Sequence, residues 1–454
     1  MFPAINPSTG ETVASYPPTT TIEMRAALRA AEKAWNRWRR TSFGERAELM
    51  RTAGRLLRER ADRYGRLMAL EMGKPIAAGR SEAEKCATAC DYYADNAERF
   101  LADDPSPTDA ARSYVHYEPL GGVLAVMPWN FPFWQVIRFA APTLMAGNVA
   151  LLKHAANVPG CALAIAELFR DAGFPADVFQ ALLIDHVQLR AAIRHPAVRA
   201  VTLTGSTAAG RVVGRQAGDR LKKTVLELGG SDPYLVLEDA DLHLAVETCV
   251  TSRLINSGQS CIAAKRFIVV DAIRQEFEER FVERMRRATM GDPLDPTNEV
   301  GPQARRDLRD ALHEQVQRSI ARGAHCLLGG EVPPGPGAFY PPTVLTDVAK
   351  RMPAYAEELF GPVAAIIPVK NEKTAIKVAN DSVFGLGAAV FTRDVERGER
   401  IAAEELAAGS CFVNAAVRSD PRLPFGGIKE SGYGRELSVQ GIRELVKVKT
   451  VYVK

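Results

Sequence analysis

Apolar and polar positions follow two different rhythms along the chain, and the change between them divides it. Residues 1–20 are polar, with Asn6-Pro7-Ser8-Thr9-Gly10 as a turn. Three long stretches then repeat at helical spacing, 22–39, 45–71 and 79–101. In the second, Leu49, Ala53, Leu56 and Leu57 make an apolar face with Arg and Glu opposite. A Pro- and Asp-rich connector, 103–111, leads to Ser113-Tyr114-Val115-His116-Tyr117, which alternates as a strand does. From 120 the rhythm shortens. Apolar, β-rich runs at 123–126, 149–152, 178–184, 198–203 and 224–228 alternate with helical patterns at 133–146, 159–173, 187–194 and 207–219. This predicts βαβ units, hence a parallel sheet with helices on both faces. A second alternating series runs from 234 to 414. The last residues, Glu444 to Lys454, alternate as an edge strand that adds to a sheet or pairs with a partner chain.

With 454 residues the chain exceeds one ordinary core, so two or three domains are expected. Apolar content of 46% and charged content of 25% are those of a soluble globular protein. The net charge of +4 is dispersed, which argues against nucleic acid as a partner. No stretch is apolar for long enough to span a membrane, and the polar start predicts no signal peptide. Seven scattered cysteines fit a reducing cytoplasm better than a disulfide framework. Cys86 and Cys90 are four apart without a His or a second pair nearby, so no metal site is expected.

One cysteine stands apart. Asp241 to Ile255 predicts a helix, Gly258 its stop, and Phe267-Ile268-Val269-Val270 a buried strand. Cys261 falls in the connector between them, among small polar neighbours, where a thiol can meet a ligand. A free Cys more often simply packs, and this segment alone favours that reading.

Other short segments could carry chemistry. Thr204-Gly205-Ser206-Thr207-Ala208-Ala209-Gly210 joins a strand to a helix and offers free N–H groups to a phosphate, although the segment alone favours a plain βα turn. Glu227 lies in the apolar run Val225-Leu226-Glu227-Leu228-Gly229-Gly230; burial there would raise its pKa toward a general base, and an exposed strand face is the alternative. Asn130, between aromatics after a strand, could donate to an oxyanion or hold a structural turn. Lys153 ends a buried strand, where ligands of open α/β sheets bind, or else snorkels to the surface.

In order and spacing, Pro128-Trp129-Asn130-Phe131-Pro132, Gly205-Ser206-Thr207, Glu227-Leu228-Gly229-Gly230, Gly258-Gln259-Ser260-Cys261, Glu358-Leu359-Phe360-Gly361-Pro362 and Pro424-Phe425-Gly426-Gly427 resemble the NAD(P)-dependent aldehyde dehydrogenase family over essentially the whole chain. Cys261-Ile262-Ala263-Ala264-Lys265-Arg266 and Ser419-Asp420-Pro421-Arg422-Leu423-Pro424-Phe425 further resemble the short bacterial succinate-semialdehyde dehydrogenases. The resemblance implies an α/β fold: a Rossmann-like NAD(P)-binding domain from 1–111 and 120–229, a catalytic domain at 230–441, and oligomerisation strands at 112–119 and 442–454 of a homodimer or homotetramer.

The resemblance also implies roles. Cys261 would attack the aldehyde, Asn130 would hold the oxyanion, and Glu227 would activate the water that hydrolyses the thioester. Lys153 and Glu358 would meet ribose hydroxyls, Gly205 and Ser206 the pyrophosphate, and Trp129, Leu228 and Phe360 the nicotinamide end. Where NAD-preferring relatives often carry Glu, this chain has Ala156, which leans toward NADP and leaves NAD open. Trp134 and Arg138 share one face of a helix expected to start at Phe131-Pro132; Arg138 would bind the substrate's distal carboxylate, with Ser419 as a second donor and Phe425 nearby. An internal salt bridge or a snorkelled surface Arg is the competing reading for Arg138. Succinate semialdehyde is the favoured substrate; another semialdehyde or an aliphatic or aromatic aldehyde is the alternative, and a non-catalytic structural relative the remote one.

Overall fold

The computed structural model describes residues 1–454. The N-terminal helices open with reciprocal caps: Thr20 and Glu23 close the start of Thr21–Trp38, and Ser42 and Glu45 that of Phe43–Glu59. The stretch expected as one helix over 45–71 is two, Phe43–Glu59 and Ala61–Met72. Arg60, at φ −106° and ψ 14°, interrupts the helical geometry. The break is invisible to periodicity because the apolar face continues across it through Leu57, Tyr64 and Met68, all buried.

The first sheet has six strands in the order Gly432–Tyr433, Lys223–Glu227, Val198–Thr204, Gly122–Met127, Val149–His154 and Phe179–Ala181. All pair in parallel except the edge strand Gly432–Tyr433. The run expected over 178–184 is ladder-paired only at Phe179–Ala181. A second sheet of seven strands runs His325–Leu328, Thr343–Thr346, Val363–Val369, Ala264–Val270, Asp232–Val236, Gly387–Phe391 and Ser410–Val413, with only the first antiparallel. Its alternating side chains divide into two cores: Leu235 and Ile268 belong to one, Tyr234 and Phe267 to the other. A third sheet pairs Val446–Val453 with Arg112–Pro119, and Asp104–Pro105 with the latter.

Two boundaries differ from expectation. Residues 442–444 are the end of a helix, Ser438–Glu444, so the terminal strand starts at Val446. The segment 425–441, expected within the catalytic unit, packs with the first: Phe425 and Leu437 join the core that surrounds the six-stranded sheet, as do Ile442 and Leu445 just beyond it. No helix is long and apolar enough to cross a membrane.

Candidate active site

Three parallel strands end side by side, and the residues that follow them wall a cavity of about 260 Å³. Gly122–Met127 delivers Pro128, Trp129 and Asn130; Val198–Thr204 delivers Gly205 and Ser206; Lys223–Glu227 delivers Leu228 and Gly229. Cys261, Glu358 and Phe360 arrive from the second sheet and close the other side. A crevice beyond the carboxyl ends of parallel strands is where α/β sheets hold ligands.

The cysteine loop is tightly specified. After the helix Leu242–Leu254, Asn256, Ser257 and Gly258 all take positive φ, at 52°, 56° and 75°. Two of these are not glycine, and such backbone persists only where its surroundings hold it. Asn256 Nδ2 donates to the carbonyls of Asn130 (2.7 Å) and Gln259 (3.1 Å). Ser257 Oγ accepts from Gly301 N (2.9 Å), and Arg253 donates to the Gly258 carbonyl (2.7 Å). A Cβ on Gly258 would come within 2.2 Å of Gly361, so the position also needs glycine for space. Beyond the turn, buried Lys265 donates to the carbonyls of Ser260 (2.9 Å), Cys261 (2.7 Å) and Ala263 (3.2 Å). Neither Asn256 nor Lys265 was singled out from the sequence; a Lys at the head of a buried strand was the available signal.

Cys261 is only partly buried because it faces the cavity, yet burial pushes its thiol up to about 12, with Arg138 and Lys265 pulling the other way. Asn130 Nδ2 donates to the Gln259 carbonyl at 3.1 Å, which places one amide N–H beside the cysteine loop and leaves the other free. Glu227, the last residue of the strand that delivers Leu228 and Gly229, is buried outside the cavity lining, with no hydrogen-bond partner on either carboxyl oxygen. Burial, and then the nearby Glu436 carboxylate, raise its pKa well above the ordinary carboxylate range.

The sequence-named cofactor residues divide. Trp129, Gly205, Ser206, Leu228, Glu358 and Phe360 all line the cavity. Trp129 and Phe360 meet edge to face, with ring centroids 5.7 Å apart. Ser206 caps the helix Thr207–Gly218 by accepting from Ala209 N (3.3 Å), so its own hydroxyl proton is free. Glu358 accepts from Gly230 N (3.0 Å) and lies 3.7 Å from Lys265 Nζ. Lys153 is outside the cavity lining; burial alone lowers its pKa, with no carboxylate beside it. Ala156, three residues on, is exposed.

The helix that carries Arg138 starts at Trp134, not at Phe131-Pro132, because buried Glu82 accepts from Phe133 N (2.9 Å) and Trp134 N (2.8 Å) and caps it there. Arg138 is 2% exposed and ion-paired with Glu436; it also donates to Thr204 Oγ1 (3.3 Å), and Phe425 covers its guanidinium at 4.9 Å. A buried guanidinium requires a counter-ion, and Glu436 supplies it. The internal ion pair is the alternative that the sequence left open for Arg138. Ser419 does meet Trp134, accepting from its indole Nε1 at 3.1 Å, and it also accepts from Lys85 Nζ at 2.8 Å. Glu436 and Lys85 were both missed, since each lies in a helix- or glycine-rich context that carries no motif.

The model of the aldehyde dehydrogenase family matches residues 1–451. A probable succinate-semialdehyde dehydrogenase (NADP+) of Synechocystis sp. is 49% identical, with 99% of each chain covered. Succinate-semialdehyde dehydrogenase (NADP+) 1 of Mycobacterium bovis is 50% identical over 99% of each chain. The crystal structure of succinic semialdehyde dehydrogenase from Streptococcus pyogenes in complex with NADP+ superposes with a TM-score of 0.98, at 37% identity and over 100% of both chains. With a cysteine and an amide on one cavity wall, a buried acid ending a strand that leads to that wall, and a family match across its length, this chain belongs to the aldehyde dehydrogenase family.

Proposed function

We propose that the chain oxidises succinate semialdehyde to succinate with NADP+, and NAD+ as a secondary oxidant. The observation that carries the chemistry is Cys261 and Asn130 on one cavity wall with the partnerless acid Glu227 behind it. Relatives of 49% and 50% identity, named as a probable succinate-semialdehyde dehydrogenase and a succinate-semialdehyde dehydrogenase, support the substrate.

Cys261 as thiolate attacks the aldehyde carbon, and Asn130 Nδ2 with the Cys261 backbone N–H holds the resulting oxyanion. A nicotinamide held beside Trp129, Leu228 and Phe360 would supply the hydride acceptor, and loss of hydride from that carbon would leave Cys261 as a thioester. Glu227, once deprotonated, takes a proton from the water that hydrolyses it. The thiol needs help at neutral pH, and the positive charges of Arg138 and Lys265 act in that direction. The residues around the cavity fit a dinucleotide: a helix N-terminus at Ser206 for phosphate, Glu358 for ribose, and the Trp129–Phe360 edge for the nicotinamide; Lys153, outside the lining, ends a neighbouring strand of the same sheet. Ala156 sets no carboxylate against a 2′-phosphate.

A second reading, an uncharged aldehyde, is favoured by the ion pair that engages Arg138. Reduced-cofactor absorbance with succinate semialdehyde, butanal and benzaldehyde, each with NADP+ and NAD+, separates the two. A kcat/KM for butanal equal to or above that for succinate semialdehyde would remove the first reading.

The terminal strand Val446–Val453 pairs on one side only and exposes Val448 and Tyr452. An unpaired apolar edge supports a homodimer or homotetramer joined there. Seven cysteines without a disulfide support a cytoplasmic setting.

A further inference from the structure

Asn130 is gripped from two sides. Toward the cysteine, its Nδ2 donates to the Gln259 carbonyl at 3.1 Å, and its own carbonyl accepts from Asn256 Nδ2 at 2.7 Å. Away from the cysteine, the chain turns from the strand Gly122–Met127 into the helix Trp134–Met145, and a buried ion pair holds that turn. Lys74, in the turn before the helix Ile76–Phe100, pairs with Glu82 on that helix. Lys74 Nζ lies 3.8 Å from the centre of the Phe131 ring, and Glu82 Oε1 takes the N–H groups of Phe133 (2.9 Å) and Trp134 (2.8 Å). The pair thus touches the first, third and fourth residues after Asn130.

Stability alone does not account for this pair. Well-packed apolar residues of the same volume commonly serve a fold as well as a buried ion pair does. Capping a helix does not require a lysine either. Glu71 caps Pro159–Asp171 in the same manner, accepting from Gly160 N (2.8 Å) and Cys161 N (2.9 Å), with no cation paired to it. What Lys74 adds is its contact with Phe131, the residue next to Asn130. The turn that carries Lys74 also backs the cysteine loop. Gly73 lies so close to Pro302 that a Cβ would come within 2.7 Å of its ring, and the Pro302 carbonyl accepts from Gln259 Nε2 at 3.4 Å.

We propose that the Lys74–Glu82 pair positions Asn130, fixing the turn that follows it so that the free amide N–H meets the oxyanion. Lys74 and Glu82 are positioning residues: neither lines the cavity, and both act through Asn130. This rests on the reading of Asn130 as the oxyanion donor. An oxyanion donor works only where its N–H already sits at hydrogen-bond distance from the developing charge, and a displacement of about 1 Å is enough to cost about 100-fold in rate.

The test combines Glu82→Ala, the charge-neutral pair Lys74→Met with Glu82→Gln, and Asn130→Ala. Glu82→Ala should lower kcat about 10- to 100-fold on succinate semialdehyde and butanal alike, with KM changed little, because both aldehydes form the same oxyanion. Alkylation of Cys261 by iodoacetamide forms no oxyanion and should keep its wild-type rate. In an Asn130→Ala background, Glu82→Ala should cost almost nothing more, since the two residues act as a unit. An unchanged kcat in Glu82→Ala, full loss on top of Asn130→Ala, slowed alkylation, or a defect confined to one aldehyde would overturn the assignment. Should Glu82→Ala not fold, the charge-neutral pair is read in the same way, since it strands no charge and keeps an acceptor for the helix. A wild-type kcat in Asn130→Ala would instead defeat the oxyanion reading itself.

Discussion

Arg138 and Glu436 are ion-paired inside the protein, and Glu436 stands close enough to Glu227 to raise that acid's pKa. One cation thus serves two buried carboxylates, and only the outer one is paired with it. The arrangement keeps Glu227 readily protonated without removing it from the reach of the cavity.

Arg138→Leu should therefore act on folding first. It strands the Glu436 carboxylate in the interior, which costs about 3–5 kcal/mol when one partner of a buried pair is removed. Urea denaturation should register the loss, and turnover should fall on charged and uncharged aldehydes alike. Replacing both, as Arg138→Met with Glu436→Leu, should restore much of the stability. A stable Arg138→Leu with a defect confined to succinate semialdehyde would show that the pair is dispensable and that Arg138 serves the substrate.

Cys261→Ala should abolish oxidation of every aldehyde, because the other six thiols lie outside the cavity. Mass spectrometry after exposure to an aldehyde analogue that traps thiols should find the label on Cys261 in the wild type and nowhere in the variant. Residual turnover near the wild-type rate would exclude the thioester route.

Glu227→Gln should separate the two halves of the reaction. A burst of reduced cofactor is expected, followed by a stall, because the thioester forms and is not hydrolysed. In the wild type, steady-state rate should climb with pH beyond the ordinary carboxylate range as the raised acid loses its proton. The folded state favours the protonated form, so stability contributed by this site is complete at low pH and declines as pH rises through the raised pKa. Glu227→Gln should flatten both trends; an unaltered pH–rate profile would assign the base elsewhere.

Ala156→Glu should turn the cofactor preference. The position is exposed, three residues beyond Lys153, so a carboxylate fits without repacking. It would accept from a 2′-hydroxyl and repel a 2′-phosphate. The ratio of kcat/KM for NAD+ over NADP+ should rise by about 10-fold or more, the scale of a charge-assisted contact. A fall in the ratio would mean that the side chain points away from the ribose.

Local spacing carried a good deal of this protein. The switch from helical to short alternating rhythm at 120 announced the parallel sheets, because side-chain period follows from backbone geometry alone. The strand ends at Asn130, Ser206 and Leu228 were legible for the same reason, and so was Cys261 between its helix and its strand. Periodicity states which side of an element faces inward; it does not state what waits there. Arg138 shares a helix face with Trp134, yet its partner Glu436 comes from a glycine-rich segment far along the chain, and that pairing exists only once the segment folds back on the first sheet. Lys85 looks like any lysine on an amphipathic helix until Ser419 and Trp134 are set against it. Charges and hydrogen-bond donors find their partners through space, over distances along the chain that no local pattern encodes, so the electrostatics of this site were decided by tertiary packing.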